Sequence, residues 1–202
     1  MKKVLSIVLV SVMIFAIMMI DTFAATTHKV EKGDSLWSIA VRYQIGLSEI
    51  KAANPSIKNY DLIYPGQIIN IPTVSQSVAD LESQVVKLVN EIRVENGLRP
   101  LTADWQLTRV ARYKSQDMSD LGYFSHTSPT YGSPFNMMKS FGISYRTAGE
   151  NIAKGYKTAE AVVDAWMKSP GHRANILNST YTHIGVGYVK NGNLWTQMFI
   201  SK

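Results

Sequence analysis

Cysteine is absent from the 202 residues. That excludes disulfides, thiolate metal sites, thiol nucleophiles and thiol redox chemistry, and leaves stability to packing alone. Long basic runs are missing too, although Lys and Arg outnumber Asp and Glu by 21 to 15 for a formal charge of +6. Spread along the chain, this excess suits mild attraction to an anionic envelope surface and offers no nucleic-acid stripe. Histidine is scarce: there are four, three of them in the second half as His126, His172 and His183. A hydrophobic content of 46% is ordinary for a globular protein with a true core.

Apolar runs long enough to cross a bilayer comfortably are lacking as well. The longest follows Lys2-Lys3 and extends from Val4 to Ile20, seventeen residues against the ~20 that such a span needs. A basic start, an apolar stretch and small residues at Ala24-Ala25 make up the layout of a secretory signal peptide over residues 1–25. Cleavage after Ala24 is the first choice and an uncleaved anchor the second. With cleavage, the chain keeps no stable membrane span and works outside the cytoplasm.

Residues 28–73 form a compact unit. A strand at His28 to Val30 precedes Gly33-Asp34-Ser35, where Asp34 or Ser35 can cap a helix over Leu36 to Tyr43. A second helix, Leu47 to Ala53, ends at Asn54-Pro55, and Gln67 to Ile71 alternates as a strand closed by Pro72. The stretches Val30-Glu31-Lys32-Gly33-Asp34-Ser35-Leu36-Trp37-Ser38-Ile39-Ala40, Ile50-Lys51-Ala52-Ala53-Asn54-Pro55 and Leu62-Ile63-Tyr64-Pro65-Gly66-Gln67-Ile68-Ile69-Asn70-Ile71-Pro72 resemble a LysM domain. The resemblance implies a βααβ module that binds N-acetylglucosamine-containing glycans, with peptidoglycan as ligand. Its groove would be formed by Gly33, Asp34, Ser35 and Leu36 on one side and Leu62, Ile63, Tyr64, Pro65 and Gly66 on the other. Glycine-bearing loops let backbone amides approach acetamido groups, and Leu62 and Tyr64 supply apolar surface for a sugar face.

The small, polar residues 74–79 read as a linker. Beyond them, residues 80–202 have the size of one further domain. Leu81, Val85, Leu88, Val89 and Ile92 mark an amphipathic helix that Asn96-Gly97 ends. Further helices are predicted from Asp104 through Met118, around Pro134 to Phe141, and from Thr158 to Lys168. The tail changes period: Ile184 to Val189 and Leu194 to Ile200 flank Lys190-Asn191-Gly192-Asn193, a hairpin signal. Helices first and strands last predict an α+β fold.

The chemistry-bearing residues lie far apart in sequence. His126 follows Leu121 to Ser125; Glu150 sits in Gly149-Glu150-Asn151-Ile152; His172 follows Pro170-Gly171, which reads as a helix stop that fixes the imidazole on a turn. One carboxylate and two imidazoles suffice for a metal site, a general acid/base pair, or a buried network pinning three loops together. Ser125 and Ser169 are serine-nucleophile candidates by adjacency alone, without a glycine-framed elbow.

These stretches, with Trp166 to Leu177 and the ending from Thr182 to Phe199, resemble a bacterial CAP (SCP-like) domain in its Ser169-Pro170-Gly171-His172-Arg173-Ala174-Asn175-Ile176-Leu177 form. The resemblance implies an α-β-α sandwich whose cleft holds two histidines and two glutamates able to bind a divalent metal. His126, Glu150 and His172 match three of these; Ser169 stands where the second glutamate is expected. With one carboxylate lost, zinc is favoured over calcium, which wants six to eight oxygens. The combined expectation is a secreted, wall-associated protein that LysM tethers to peptidoglycan while the cleft meets a ligand, metal or partner. Two alternatives stay open: a metal-assisted hydrolase of wall material or peptides, and a structural component of an envelope or spore-type layer.

Overall fold

The computed structural model describes residues 25–202; the signal-peptide reading falls almost wholly outside them. The first unit is β1 (Ala25–Lys29), α1 (Leu36–Arg42), α2 (Leu47–Ala53) and β2 (Ile68–Pro72), with β1 and β2 antiparallel. Its βααβ order follows from local signals. Ser35 caps α1 by accepting from the Ser38 amide, and Ser38 returns a bond to the Ser35 amide. Val30, Leu36, Ile39, Ile50, Ile69 and Ile71 make a small separate core.

The second unit begins with α3 (Gln76–Glu95), so the stretch read as a linker over 74–79 is helix from residue 76 onward. Polar composition alone does not distinguish a linker from the first turn of an amphipathic helix, because that turn is solvated. Then come β3 (Thr102–Ala103), α4 (Trp105–Asp120), α5 (Pro134–Ser140), β4 (Thr147–Lys154), α6 (Ala159–Lys168), α7 (Pro170–Ile176), β5 (His183–Val189) and β6 (Leu194–Ser201). The sheet order is β3-β5-β6-β4, with β3 parallel to β5 and the other pairs antiparallel.

Helices cover both faces, which is why every residue of β6 is buried. On one side Val85, Val89, Val162, Val163, Trp166 and Ile176 pack against Trp195 and Phe199. On the other, Leu107, Val110, Ala111, Met137 and Met138 pack against Met198 and Ile200. This is the α-β-α sandwich expected from the resemblance. Helix α4 lies directly on β5 because Gly185 and Gly187 carry no side chain. A Cβ on Gly187 would collide with the Arg112 amide nitrogen, and one on Gly185 with the Leu107 carbonyl carbon.

Two buried charges, Glu82 and Arg93, tie the frame together. Glu82 accepts from the Tyr188 amide at 3.0 Å and pairs with Arg112, joining α3, α4 and β5. Arg93 donates to the carbonyls of Ile176, Asn178 and Arg99, tying α3 to the end of α7. Between the two units, Arg109 of α4 makes a forked bond to Glu49 of α2 at 2.6 and 3.0 Å. Its guanidinium lies over Tyr113 and Phe141.

Two expectations change here. Gly149-Glu150-Asn151-Ile152 is not a loop motif but the middle of β4, paired with β6. Its buried, mixed polar sequence lacks the period-2 apolar signature of a half-buried strand. Likewise Pro170-Gly171 opens helix α7 rather than leaving His172 on a turn. Ser169 ends α6 in an extended conformation and Pro170 takes the first helical position, where its missing N–H costs nothing. His172 therefore sits in the first turn of a short helix.

Candidate functional site

In the first unit, the two candidate groove loops are pinned side by side. The Gly66 amide donates to the Val30 carbonyl and the Val30 amide to the Gln67 carbonyl, both at 2.8 Å. Gly33 and Gly66 both have positive φ, 95° and 92°, which a side chain would strain. The side chains on the first loop serve the fold. Asp34 accepts from the Glu31 amide at 2.9 Å, holds His28 at 2.7 Å and pairs with Arg42; these bonds hold its carboxyl below the usual range. Ser35 caps α1 and Leu36 lies in the core. What this side offers a ligand is backbone. Across from it Leu62 is 51% and Tyr64 60% exposed, while Ile63 packs on the core and Pro65 and Gly66 are exposed. Trp37, also exposed at 57%, went unmarked by the sequence reasoning; its place after buried Leu36 at the start of a helix was the available signal.

In the second unit, β4 carries Glu150, the loop after α4 carries His126, and α7 carries His172. His126 Nδ1 and Glu150 Oε1 are 2.7 Å apart. The carboxyl is enclosed, its side chain 1% exposed, while that of His126 is 53% exposed. Burial raises the Glu150 pKa, against the hydrogen bond from His126 and the charges of Lys114 and His126. A carboxylate accepting at Nδ1 fixes the tautomer with the proton there and leaves Nε2 with its lone pair. His172 makes no ring hydrogen bond among the described residues, and burial, then repulsion from His126, lowers its pKa.

Polar groups hold these three elements, and of them Asn175, Asp117 and Lys114 were passed over by sequence reasoning. Asn151 Nδ2 donates to the His172 carbonyl at 3.1 Å, and Asn175 Nδ2 donates to Asn151 Oδ1 at 2.8 Å and to the Glu150 carbonyl. So Asn151 fastens α7 to β4. Gly149 admits this arrangement, since a Cβ there would meet the Tyr181 hydroxyl at 2.5 Å and Asn175 Oδ1 at 3.1 Å. On the opposite wall, Asp117 accepts from Ser128 at 2.7 Å, Thr130 at 2.6 Å and the Tyr123 hydroxyl. Lys114 Nζ donates to the His126 carbonyl at 2.8 Å.

Other candidates fall away. Ser125 Oγ accepts from the Thr127 amide, and among the described residues neither it nor Ser169 bonds an imidazole. His183 is not an edge residue: it opens β5, paired with Thr102 and Ile200, and bonds Thr182 Oγ1. Trp166 and Trp195 are buried and donate to the Ile152 and Tyr156 carbonyls.

A model of the cysteine-rich secretory protein family, CAP, matches residues 86–200, more than half of the chain. The chain belongs to this family. A LysM domain model matches residues 28–72 ahead of it. YkwD of Bacillus subtilis is 65% identical over 126 residues, 62% of this chain and 49% of YkwD. An extracellular protein of Bacillus anthracis containing an SCP domain has a solved structure with TM-score 0.60 and 34% identity, covering 68% of this chain and 47% of that one. The chain thus spans about half the length of each of these two relatives. In the LysM region it is 33% identical over 79 residues to the N-acetylmuramoyl-L-alanine amidase sle1 of Staphylococcus aureus, 39% of this chain and 23% of sle1.

The metal that a CAP cleft implies does not fit the residues present. Among the described residues no three His, Cys, Asp or Glu side chains group closely enough to hold an ion. Glu150 Oε1 is engaged by His126. Ser169, in the place of the second glutamate, contributes no capping bond and no charge. Among the described residues these positions form an imidazole–carboxyl pair, His126 and Glu150, with His172 close enough to His126 for their charges to repel.

Proposed function

We propose that this chain is an exported, wall-associated protein whose LysM module binds N-acetylglucosamine-containing peptidoglycan and whose CAP domain presents a cleft to a ligand or partner. The observation that carries this is the exposure of Leu62 and Tyr64 beside a backbone-lined loop at Gly33. Sugar rings bind by stacking an apolar face while their acetamido groups meet backbone amides, and the two loops that would supply these elements are bonded to each other through Val30, Gly66 and Gln67. Export rests on the basic, apolar and small-residue order of residues 2–25.

Sedimentation with purified peptidoglycan tests the reading. The protein from Ala25 onward pellets, and the double variant Leu62→Ala/Tyr64→Ala stays in the supernatant while keeping its circular dichroism spectrum. Equal pelleting of the variant would refute the groove. One module binds weakly, so the effect is read as a shift in the bound fraction over a range of wall concentrations.

A second reading, hydrolysis of wall material, is favoured by one detail: with Nδ1 committed to Glu150, His126 Nε2 is available to take up a proton in the cleft. No metal step is part of it. His126→Ala abolishes release of soluble wall fragments under this reading, and the absence of any release by the unaltered protein rejects it.

A further inference from the structure

Lys114 is wholly enclosed, 0% exposed, in the middle of α4. A buried ammonium is costly and persists only with compensation. Here Nζ donates to the His126 carbonyl at 2.8 Å and to the Tyr123 hydroxyl at 3.3 Å, and lies 5.2 Å from the Tyr123 ring centre. The Tyr123 hydroxyl in turn donates to Asp117. The Lys114 charge is attracted to both Glu150 and Asp117, against burial, which lowers its pKa.

Glu150 poses the complementary problem. Its Oε2 is buried with no hydrogen-bond partner. Burial disfavours the charged form of this carboxyl, and the charges that work against burial belong to Lys114 and His126. His126 is therefore held twice, through its carbonyl by Lys114 and through its ring by Glu150.

We propose that Lys114 is a positioning residue that supplies from inside the fold the cationic charge a divalent metal would bring to this cleft, fixing His126 with Nδ1–H on Glu150 and Nε2 outward without a metal. The inference rests on the reading of His126 and Glu150 as working groups of the cleft, and it is independent of glycan binding.

The test is ring nitrogen NMR of the protein from Ala25 onward at about pH 8, where an ordinary imidazole is neutral. The unaltered protein shows His126 as a single tautomer with Nδ1 protonated. Lys114→Gln keeps a donor but no charge and gives the averaged nitrogen shifts of two exchanging tautomers; Lys114→Arg keeps the charge and restores the single form. A tautomer unchanged in Lys114→Gln, or not restored by Lys114→Arg in a folded variant, overturns the role of charge. Should Lys114→Gln not fold, addition of one equivalent of zinc to the unaltered protein decides: unmoved His126 and His172 ring signals support the proposal, and stoichiometric shifts of both overturn it. Sedimentation with peptidoglycan is unchanged in every variant, so failure here is distinguishable from failure of the LysM reading.

Discussion

Arg93→Met should loosen the cleft from a distance. Arg93 is 1% exposed and pairs with no carboxylate among the described residues; its Nη1 donates to the Ile176 carbonyl at 2.6 Å and that of Asn178 at 2.9 Å, and its Nε to that of Arg99 at 3.0 Å. Ile176 is the last residue of α7, so this fork closes the C-terminus of the helix that bears His172. A hydrogen bond to a charged donor is worth about 1.5–3 kcal/mol. The Ile176 bond is buried and is lost in full, whereas water can reach the carbonyls of Arg99 and Asn178. Relief of the guanidinium's desolvation, which holds its pKa below the usual value, offsets part of the loss. The net expectation is about 2–4 kcal/mol, or about 4–16 °C in Tm at the 2–4 °C per kcal/mol usual for this size. Urea unfolding followed by the fluorescence of buried Trp166 and Trp195 measures it. The conservative variant Arg93→Lys should recover only a fraction, because an ammonium cannot reproduce the planar fork that reaches three carbonyls. A loss below about 0.5 kcal/mol for the Met variant would refute the argument that α7 is capped from α3.

Gly149→Ala should cost about 1–3 kcal/mol, as its Cβ meets the Tyr181 hydroxyl at 2.5 Å, and Tyr181→Phe in the same chain should return part of it; additive losses in urea melts would rule out the contact. Asp117 sets an acid limit. Burial opposes its ionisation, but bonds from Thr130, Tyr123 and Ser128 and the charge of Lys114 outweigh this and hold its pKa below the ordinary 3.8. Its stabilisation is thus complete above about pH 4 and lost as pH falls through the folded value, so urea midpoints should decline less steeply below about pH 4 in Asp117→Asn than in the unaltered chain. The Arg109–Glu49 fork, each side chain 20% exposed, should give a coupling of about 0.5–1 kcal/mol in a double-mutant cycle of thermal stability, and a zero coupling would show that the two units do not hold each other.

The helices and the hairpin were legible because their signals are local. Ser35, Asp104, Ser133 and Thr158 cap helices through their own side chains, and Lys190 to Asn193 separates two apolar strands. The first unit could be read almost residue by residue, with α2 at Leu47–Ala53. Two-residue β3 could not, since it exists only by pairing with β5. At the cleft, His126, Glu150 and His172 stood out because imidazoles are rare in this chain and each sits beside glycine or proline or in a distinctive run. The elements that carry Glu150 and His172 were misjudged, whereas His126 lies in the loop expected for it. A strand buried on both faces and rich in Gly, Glu and Asn shows no alternation, and Pro at the first position of a helix has the same sequence appearance as Pro at its end.

The residues that hold the cleft together were the least legible, and the reason is physical. Lys114, Asp117, Asn175 and Arg93 belong to types that are mostly solvent-exposed, so in sequence they read as surface. Yet each makes its bonds to partners that the chain brings close only on folding: Lys114 to His126, Arg93 to Ile176, Asn175 to Glu150. A CAP domain without cysteines has no covalent staple for the loop of residues 121–132 or for α7. Buried hydrogen bonds to backbone carbonyls take that place, and they differ from a disulfide in one respect that matters for the cleft. They disappear with the fold, so they constrain His126 and His172 in the native state without restricting the unfolded chain. The order of the cleft is then tied to the integrity of α3, α4 and β4 rather than to any local crosslink.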